Sequence, residues 1–334
     1  MAWLPGMGQT LALRHYTLAD GLPQSTLYGL CQDQRGQLWA GTQSGVCWFD
    51  GRKFTTLDSR QGLPDNHVTA VAEGPDGTLW FGHRYAGVSY YRGGRARRLP
   101  GLTASGQVRQ IVPDGPQTLW VATDGSGLFR VAGQGQRQRI TRITHQQGLP
   151  SDSVNQLLRG PNGAYWAATS AGLVAIDPAT NRAVAIPGLP AALSQQPVYK
   201  IADGGQGRYW CATNQGLLEL SGGQGRSWQL RRYTTADGLC DNRVRAVHKD
   251  RRGRVWVVTV AGVSRLDSIL TCFAASATPT LIDGINDVLE DREGNLWLAH
   301  NGGLAQHLAD ERFTQFSIAD GLLNPEVYSI LEVA

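Results

Sequence analysis

Long hydrophobic runs are missing from this chain of 334 residues, so no stretch reads as a membrane-spanning helix. Helical periodicity is nowhere sustained, which sets aside bundles and coiled coils. Charged residues make up only 17%, and the net of +4 is too mild to mark a nucleic-acid binder. The five cysteines, Cys31, Cys47, Cys211, Cys240 and Cys272, show neither C-x-x-C spacing nor the density of a disulfide framework, so metal binding is not expected. Cys31, Cys47 and Cys211 lie in strand-like stretches and read as small buried apolar residues. Also lacking are a phosphate-cradling glycine loop followed by Lys-Ser or Lys-Thr, a His-Glu-x-x-His pair and a Gly-x-Ser-x-Gly elbow. No cofactor is implied. What the chain has in quantity is glycine, 42 residues, and tryptophan, 10.

Seven of the tryptophans, Trp39, Trp80, Trp120, Trp166, Trp210, Trp256 and Trp297, recur at intervals of 41, 40, 46, 44, 46 and 41 residues. That interval is the length of one four-stranded propeller blade, roughly 40 to 50 residues. Each copy runs Asp-Gly-Leu-Pro, an apolar run, Asp-x-x-Gly-x-Leu-Trp, a small-residue strand ending Gly-Thr, and Gly-Leu or Gly-Val. The first copy shows it from Asp20 through Leu27, Asp33, Trp39 and Thr42 to Val46, whereas the third and fifth are worn. Alternating apolar stretches bounded by Gly, Asp and Pro read as strands, and a four-stranded sheet buries both faces only by stacking on neighbours in a ring. The expected fold is therefore all-β, a seven-bladed β-propeller of four-stranded antiparallel blades, with the start of a further repeat at the C-terminus. The repeated tryptophans are expected to pack between blades, and the acidic residues Asp33, Asp76, Asp114, Asp203, Asp250 and Asp291 to cap amides in the turn between strands A and B, counted outward from the axis.

Three segments follow: residues 1–9 as a leader remnant or tag, 10–312 as the propeller, and 313–334 as a partial eighth repeat. Residues 1–9 resemble the tail of a secretory signal peptide. Leu11 to Thr17 reads as an orphan outermost strand able to complete the seventh blade; Phe313 to Ser317 is the alternative closing strand.

This combination of motifs, from about His15 to Val333, resembles the two-component regulator propeller repeat. The resemblance implies a periplasmic or extracellular ligand-sensing module of a bacterial signalling protein, without catalysis of its own. Its implied partners are a polar ligand, such as a glycan, the downstream domains of the same polypeptide, and a second copy in the full-length protein. Cys240 where proline is usual, Val260 where a polar turn residue is usual, and the histidines at 83 and 300 depart from the pattern.

In a propeller the D-to-A and B-to-C connections share one face, where pockets form. Five blades end strand B with Thr42, Thr123, Thr169, Thr213 or Thr259; the other two carry His83, Arg84 and Tyr85, and His300 and Asn301. These five breaks in the pattern are the candidate ligand-binding residues, a mixture suited to an oxyanion or a saccharide. Asn66, His67, Asp124, Asn214, Asn242 and Arg243 are weaker candidates. The basic cluster Arg92, Arg95, Arg97 and Arg98 reads as a solvated turn. Two other functions stay open: a docking scaffold for protein or surface polysaccharide, and a streptogramin-lyase-like enzyme, for which no carboxylate cluster accompanies the histidines.

Overall fold

The computed structural model describes residues 11–309 apart from 103, 134–136, 161–162, 224–225 and 275–283. The segments 1–9 and 313–334 lie outside the described residues. Among the described residues there are seven four-stranded antiparallel sheets, the blades of a β-propeller. Blade one runs Leu27–Gln32, Leu38–Thr42, Gly45–Phe49 and Phe54–Leu57, each strand paired to the next. Blade seven supplies Ile285–Glu290, Leu296–His300 and Gly303–His307, and takes its fourth strand, Arg14–Tyr16, from the other end of the chain. In that closing ladder Arg14 pairs with Gln306 and Tyr16 with Leu304.

The turn motif has a second purpose besides capping. Asp33 Oδ1 accepts the Arg35 and Gln37 amides, and its Oδ2 accepts the indole N–H of Trp39 at 2.8 Å. Asp250 does the same for Trp256 at 2.9 Å, and Asp291 for Trp297 at 2.7 Å. In these three blades the six-residue spacing from Asp to Trp thus satisfies an indole buried between sheets, whereas Asp114, at the same spacing in blade three, does not bond the Trp120 indole. Gly74, Gly160 and Gly204 hold that place in blades two, four and five, where an added Cβ would come within 3.2, 2.8 and 3.0 Å of the indole nitrogen. Asp76 and Asp203 sit elsewhere in their turns: Asp76 accepts the Thr78 amide and hydroxyl, and Asp203 the Gly205 amide. Asp114 lies beside Tyr165 of the next blade, whose phenol is pushed up to about 12 by burial first and by that carboxylate second.

Six of the seven repeat tryptophans are buried; Trp80 is half-buried. The cysteines include one disulfide, Cys240–Cys272, which joins the lead into blade six to that blade's outer strand. Cys31, Cys47 and Cys211 are free, and burial pushes each thiol up to about 12.

The inner strands face a channel and would leave edge amides open, but side chains from adjoining blades meet several of them. Gln110 Oε1 accepts the Leu157 amide, Gln156 Oε1 that of Ile201, and Asp287 Oδ2 that of Leu30. Thr69 donates to the Val108 carbonyl, Asn155 to Val198 and Asn286 to Leu27. The seam between blades seven and one is further held by Arg292, whose guanidinium donates to the Gln34 and Asp33 carbonyls at 3.0 and 2.7 Å.

Candidate functional site

A single irregularity builds the channel mouth. In six blades a β-bulge follows the first residue of strand A. A bulge leaves its extra residue out of the ladder and re-aims the side chains beside it. The residues so released are Tyr28, Thr69, Arg109, Asn155, Arg245 and Asn286, with Tyr199 at the equivalent place in blade five.

In four blades the first residue of the same blade's B-to-C loop, fifteen positions on, meets the residue so placed. Gln43 donates to the Tyr28 hydroxyl at 2.9 Å, Asn214 to the Tyr199 hydroxyl at 2.6 Å, and Arg109 to Asp124 at 2.5 Å. Asn286 donates to Asn301 at 3.1 Å. In blade six the partner position is Val260, and Arg245 instead lies 5.0 Å over the Tyr199 ring. One level deeper, Lys200 of blade five reaches Asp287 of blade seven at 3.2 Å, past blade six.

The mouth is therefore a wreath of two phenols, several amides and the exposed guanidiniums of Arg109 and Arg245. Arg84 adds a third positive charge. Against them stands Asp124: burial opposes its ionisation, but the Ser153 and Arg109 hydrogen bonds outweigh that and hold its carboxyl below the usual range. Among the described residues, no group of three or more His, Cys, Asp or Glu is placed to hold a metal ion.

The residues singled out from the loops fall into two sets. His83 and His300 are buried, at 0% and 2% exposure. The threonines they replace bond inside the hairpin: Thr42 Oγ1 donates to the Gly45 carbonyl and accepts the Ser44 amide. His300 Nδ1 likewise accepts the Gly302 amide at 3.1 Å, and His83 Nε2 lies 2.7 Å from Ser89 Oγ. Both rings thus sit within their own blades' hairpins.

Arg84, Tyr85 and Asn301 are at the surface. Arg84 donates to the Tyr85 hydroxyl at 2.9 Å, and Tyr85, 73% exposed, stands edge-on to His67 at 6.4 Å. His67 packs on Tyr28 at 5.2 Å, so Arg84, Tyr85 and His67 join the mouth through blade one, and Asn301 joins it through Asn286. Asp124 and Asn214 belong to the mouth directly. Asn66, Asn242 and Arg243 serve turns, accepting the Ser59 and Thr235 amides and pairing with Asp241 respectively.

The sequence reading did not single out Tyr28, Arg109, Asn155, Tyr199, Arg245 and Asn286. A signal was available: in each A strand the apolar residues stand three apart, as in Val154-Asn155-Gln156-Leu157, where an unbroken strand would space them by two.

Residues 21–44, 62–85 and 238–261 match the two-component regulator propeller family. A curated relative, Histidine kinase P4 of Formosa agariphila, is 39% identical over 51 residues, which is 15% of this chain and 4% of the relative. Among solved structures, the extracellular domain assigned to a hybrid two-component system of B. thetaiotaomicron superposes with a TM-score of 0.76 at 20% identity, over 90% of this chain and 41% of that one. Virginiamycin B lyase from Staphylococcus aureus superposes with a TM-score of 0.65 at 15% identity, over 89% of this chain and 98% of that one. At these identities both likenesses show the fold alone. The chain spans about two fifths of the length of the first and a small fraction of the kinase.

Proposed function

We propose, for a chain assembled from two-component regulator propeller repeats, that it is an extracytoplasmic ligand-recognition module of a signalling protein, binding a polar solute at the channel mouth. The observation that carries this reading is the bulge-built wreath, in which Tyr28, Tyr199, Arg109 and Arg245 project from an inner layer held by inter-blade hydrogen bonds. A rigid scaffold presenting phenols, amides and guanidiniums is suited to hydroxyl-rich or anionic ligands. The extracellular assignment of a fold neighbour and the Cys240–Cys272 bond, a feature of oxidising compartments, support a location outside the cytoplasm.

Thermal unfolding of the chain against a panel of neutral oligosaccharides, acidic oligosaccharides and small oxyanions tests it. A ligand held at a hundredfold excess over its Kd adds about 2.7 kcal/mol. The expected result is a hit whose stabilisation vanishes in Tyr199→Ala and Arg245→Ala, the first half-buried and the second exposed at the mouth. A hit that stabilises these variants as well as the parent would place binding elsewhere and refute the mouth reading.

A further inference from the structure

A cavity of about 700 Å³ opens between blades two and three, walled by the A-to-B turns of both and so at the opposite end of the strands from the mouth. Its volume lies within the range of small-ligand sites, about 300 to 1,000 Å³. The cavity lies where a ring contact between blades is missing. Trp39, Trp120, Trp166 and Trp297 each meet an aromatic ring of the following blade: Phe81, Tyr165, Tyr209 and Phe49. Among the described residues Trp80 meets only Tyr90 of its own blade, at 5.6 Å, as Trp210 meets only Tyr233 of its own. Blade three presents Val131 where blade two has Tyr91 and blade one Phe49, so the space a ring fills elsewhere stays open.

The walls differ in chemistry. Trp80 pairs with Tyr90 and Tyr90 with Arg97 across the strands of blade two, so the three form one row facing blade three. Arg92, also lining the cavity, pairs with Arg95 in the same way. The basic cluster that the sequence suggested was a solvated turn is thus a strand, Arg95–Arg98, whose Arg95 and Arg97 stand on the cleft side. The carboxylate present, Asp76, lies 3.8 Å from Arg92, leaving the lip net positive. Leu119, Val131 and Ile140 make the apolar far wall, with the Gln117 and Gln138 amides beside them.

We propose that this cleft binds an anionic sugar residue, its pyranose ring on the Trp80–Tyr90 floor and its carboxylate or sulfate group on Arg92 and Arg97. A bare inorganic anion has no use for the aromatic floor, and a neutral sugar none for the guanidinium lip; a ring carrying one anionic group uses both. This site is separate from the mouth and does not rest on the reading given for it.

Titration calorimetry on the chain with trigalacturonate, a sulfated galactose trisaccharide, neutral galactotriose and sodium sulfate distinguishes the cases. One of the two acidic sugars should bind at least tenfold more tightly than galactotriose, and which one does so identifies the anionic group. Arg92→Gln and Arg97→Gln, both at exposed positions, should each weaken it about tenfold. Val131→Tyr, which restores the ring found at other interfaces, should abolish binding while keeping or raising the thermal midpoint, and Tyr199→Ala at the mouth should leave it unchanged. The proposal is overturned if neither acidic sugar binds, if galactotriose binds equally well, if sulfate alone competes fully, or if Val131→Tyr still binds.

Discussion

At the residue scale, Asp and Trp act as one unit in blades one, six and seven. Removing the carboxylate in Asp33→Ala leaves a buried indole donor and two turn amides without their acceptor. A buried donor left unsatisfied costs about 1 to 3 kcal/mol, so urea unfolding should show a loss at or above the middle of that range. His83 gives a pH signature. Burial disfavours its imidazolium and takes its pKa from 6.5 down to about 4, with Asp65 opposing the shift and Arg98 reinforcing it. The unfolded chain therefore takes up that proton first as pH falls. The stability contributed by neutral His83 is fully present above about pH 6.5 and gone near pH 4, a loss on the order of 3 kcal/mol. His83→Thr, which adopts the residue of five other blades, should flatten the fall in urea midpoint across that window; an unchanged slope would mean other groups set it. The repeat made these positions recognisable, but not their partners. Asp33 reaches an indole six residues away through a turn whose path the sequence does not state.

At the element scale, the first glycine of strand C explains itself by what it faces. Gly45, Gly216 and Gly303 have φ of 124°, 114° and 139°, and a Cβ on each would come within 2.3 Å of a carbonyl, that of Leu57, Tyr233 and Tyr16 respectively. In the first two the carbonyl belongs to the blade's own outer strand. In the third it belongs to the N-terminal strand, which therefore fits blade seven as a native fourth strand would. Tyr16 anchors it: the ring stacks on Trp297 at 5.7 Å and meets Phe49 at 5.1 Å, and its hydroxyl donates to Gln306 at 3.1 Å. Tyr16→Ala should cost about 3 to 5 kcal/mol, as for other large core aromatics, and hydrogen exchange should accelerate most in Gly303–His307. Exchange spread evenly over all blades would argue against a local closing role. The orphan strand was visible in the sequence because Leu11 to Thr17 had no partner within its own repeat. The bulges that make the mouth were not read, because a one-residue insertion resembles noise in an alternating pattern.

At the scale of the whole molecule, the number of blades follows from the tryptophan spacing, while the defects in the ring do not. The cavity beside Trp80 depends on Val131, fifty-one residues further on and in another sheet. The Cys240–Cys272 bond escapes a search for cysteine patterns because its separation of 32 residues is set by blade geometry, with Cys240 standing where the repeat usually has proline. A cross-link closing a loop of that size contributes about 2 to 4 kcal/mol. Cys272→Ala should therefore lower the urea midpoint under oxidising conditions and match the parent once a reductant is added; equal midpoints before reduction would show that the bond contributes nothing.

The closing strand also sets a timetable. Tyr16 leaves the ribosome about 290 residues ahead of Gln306, its hydrogen-bond partner. At 5 to 20 residues per second, roughly 15 to 60 s pass in which this strand has no sheet to join. Blades one to six can stack during that interval, but the circle is sealed only when the last hairpin appears. The newborn protein is thus an open arc with two unprotected edges, and the speed of its final step is governed by how soon its two ends meet.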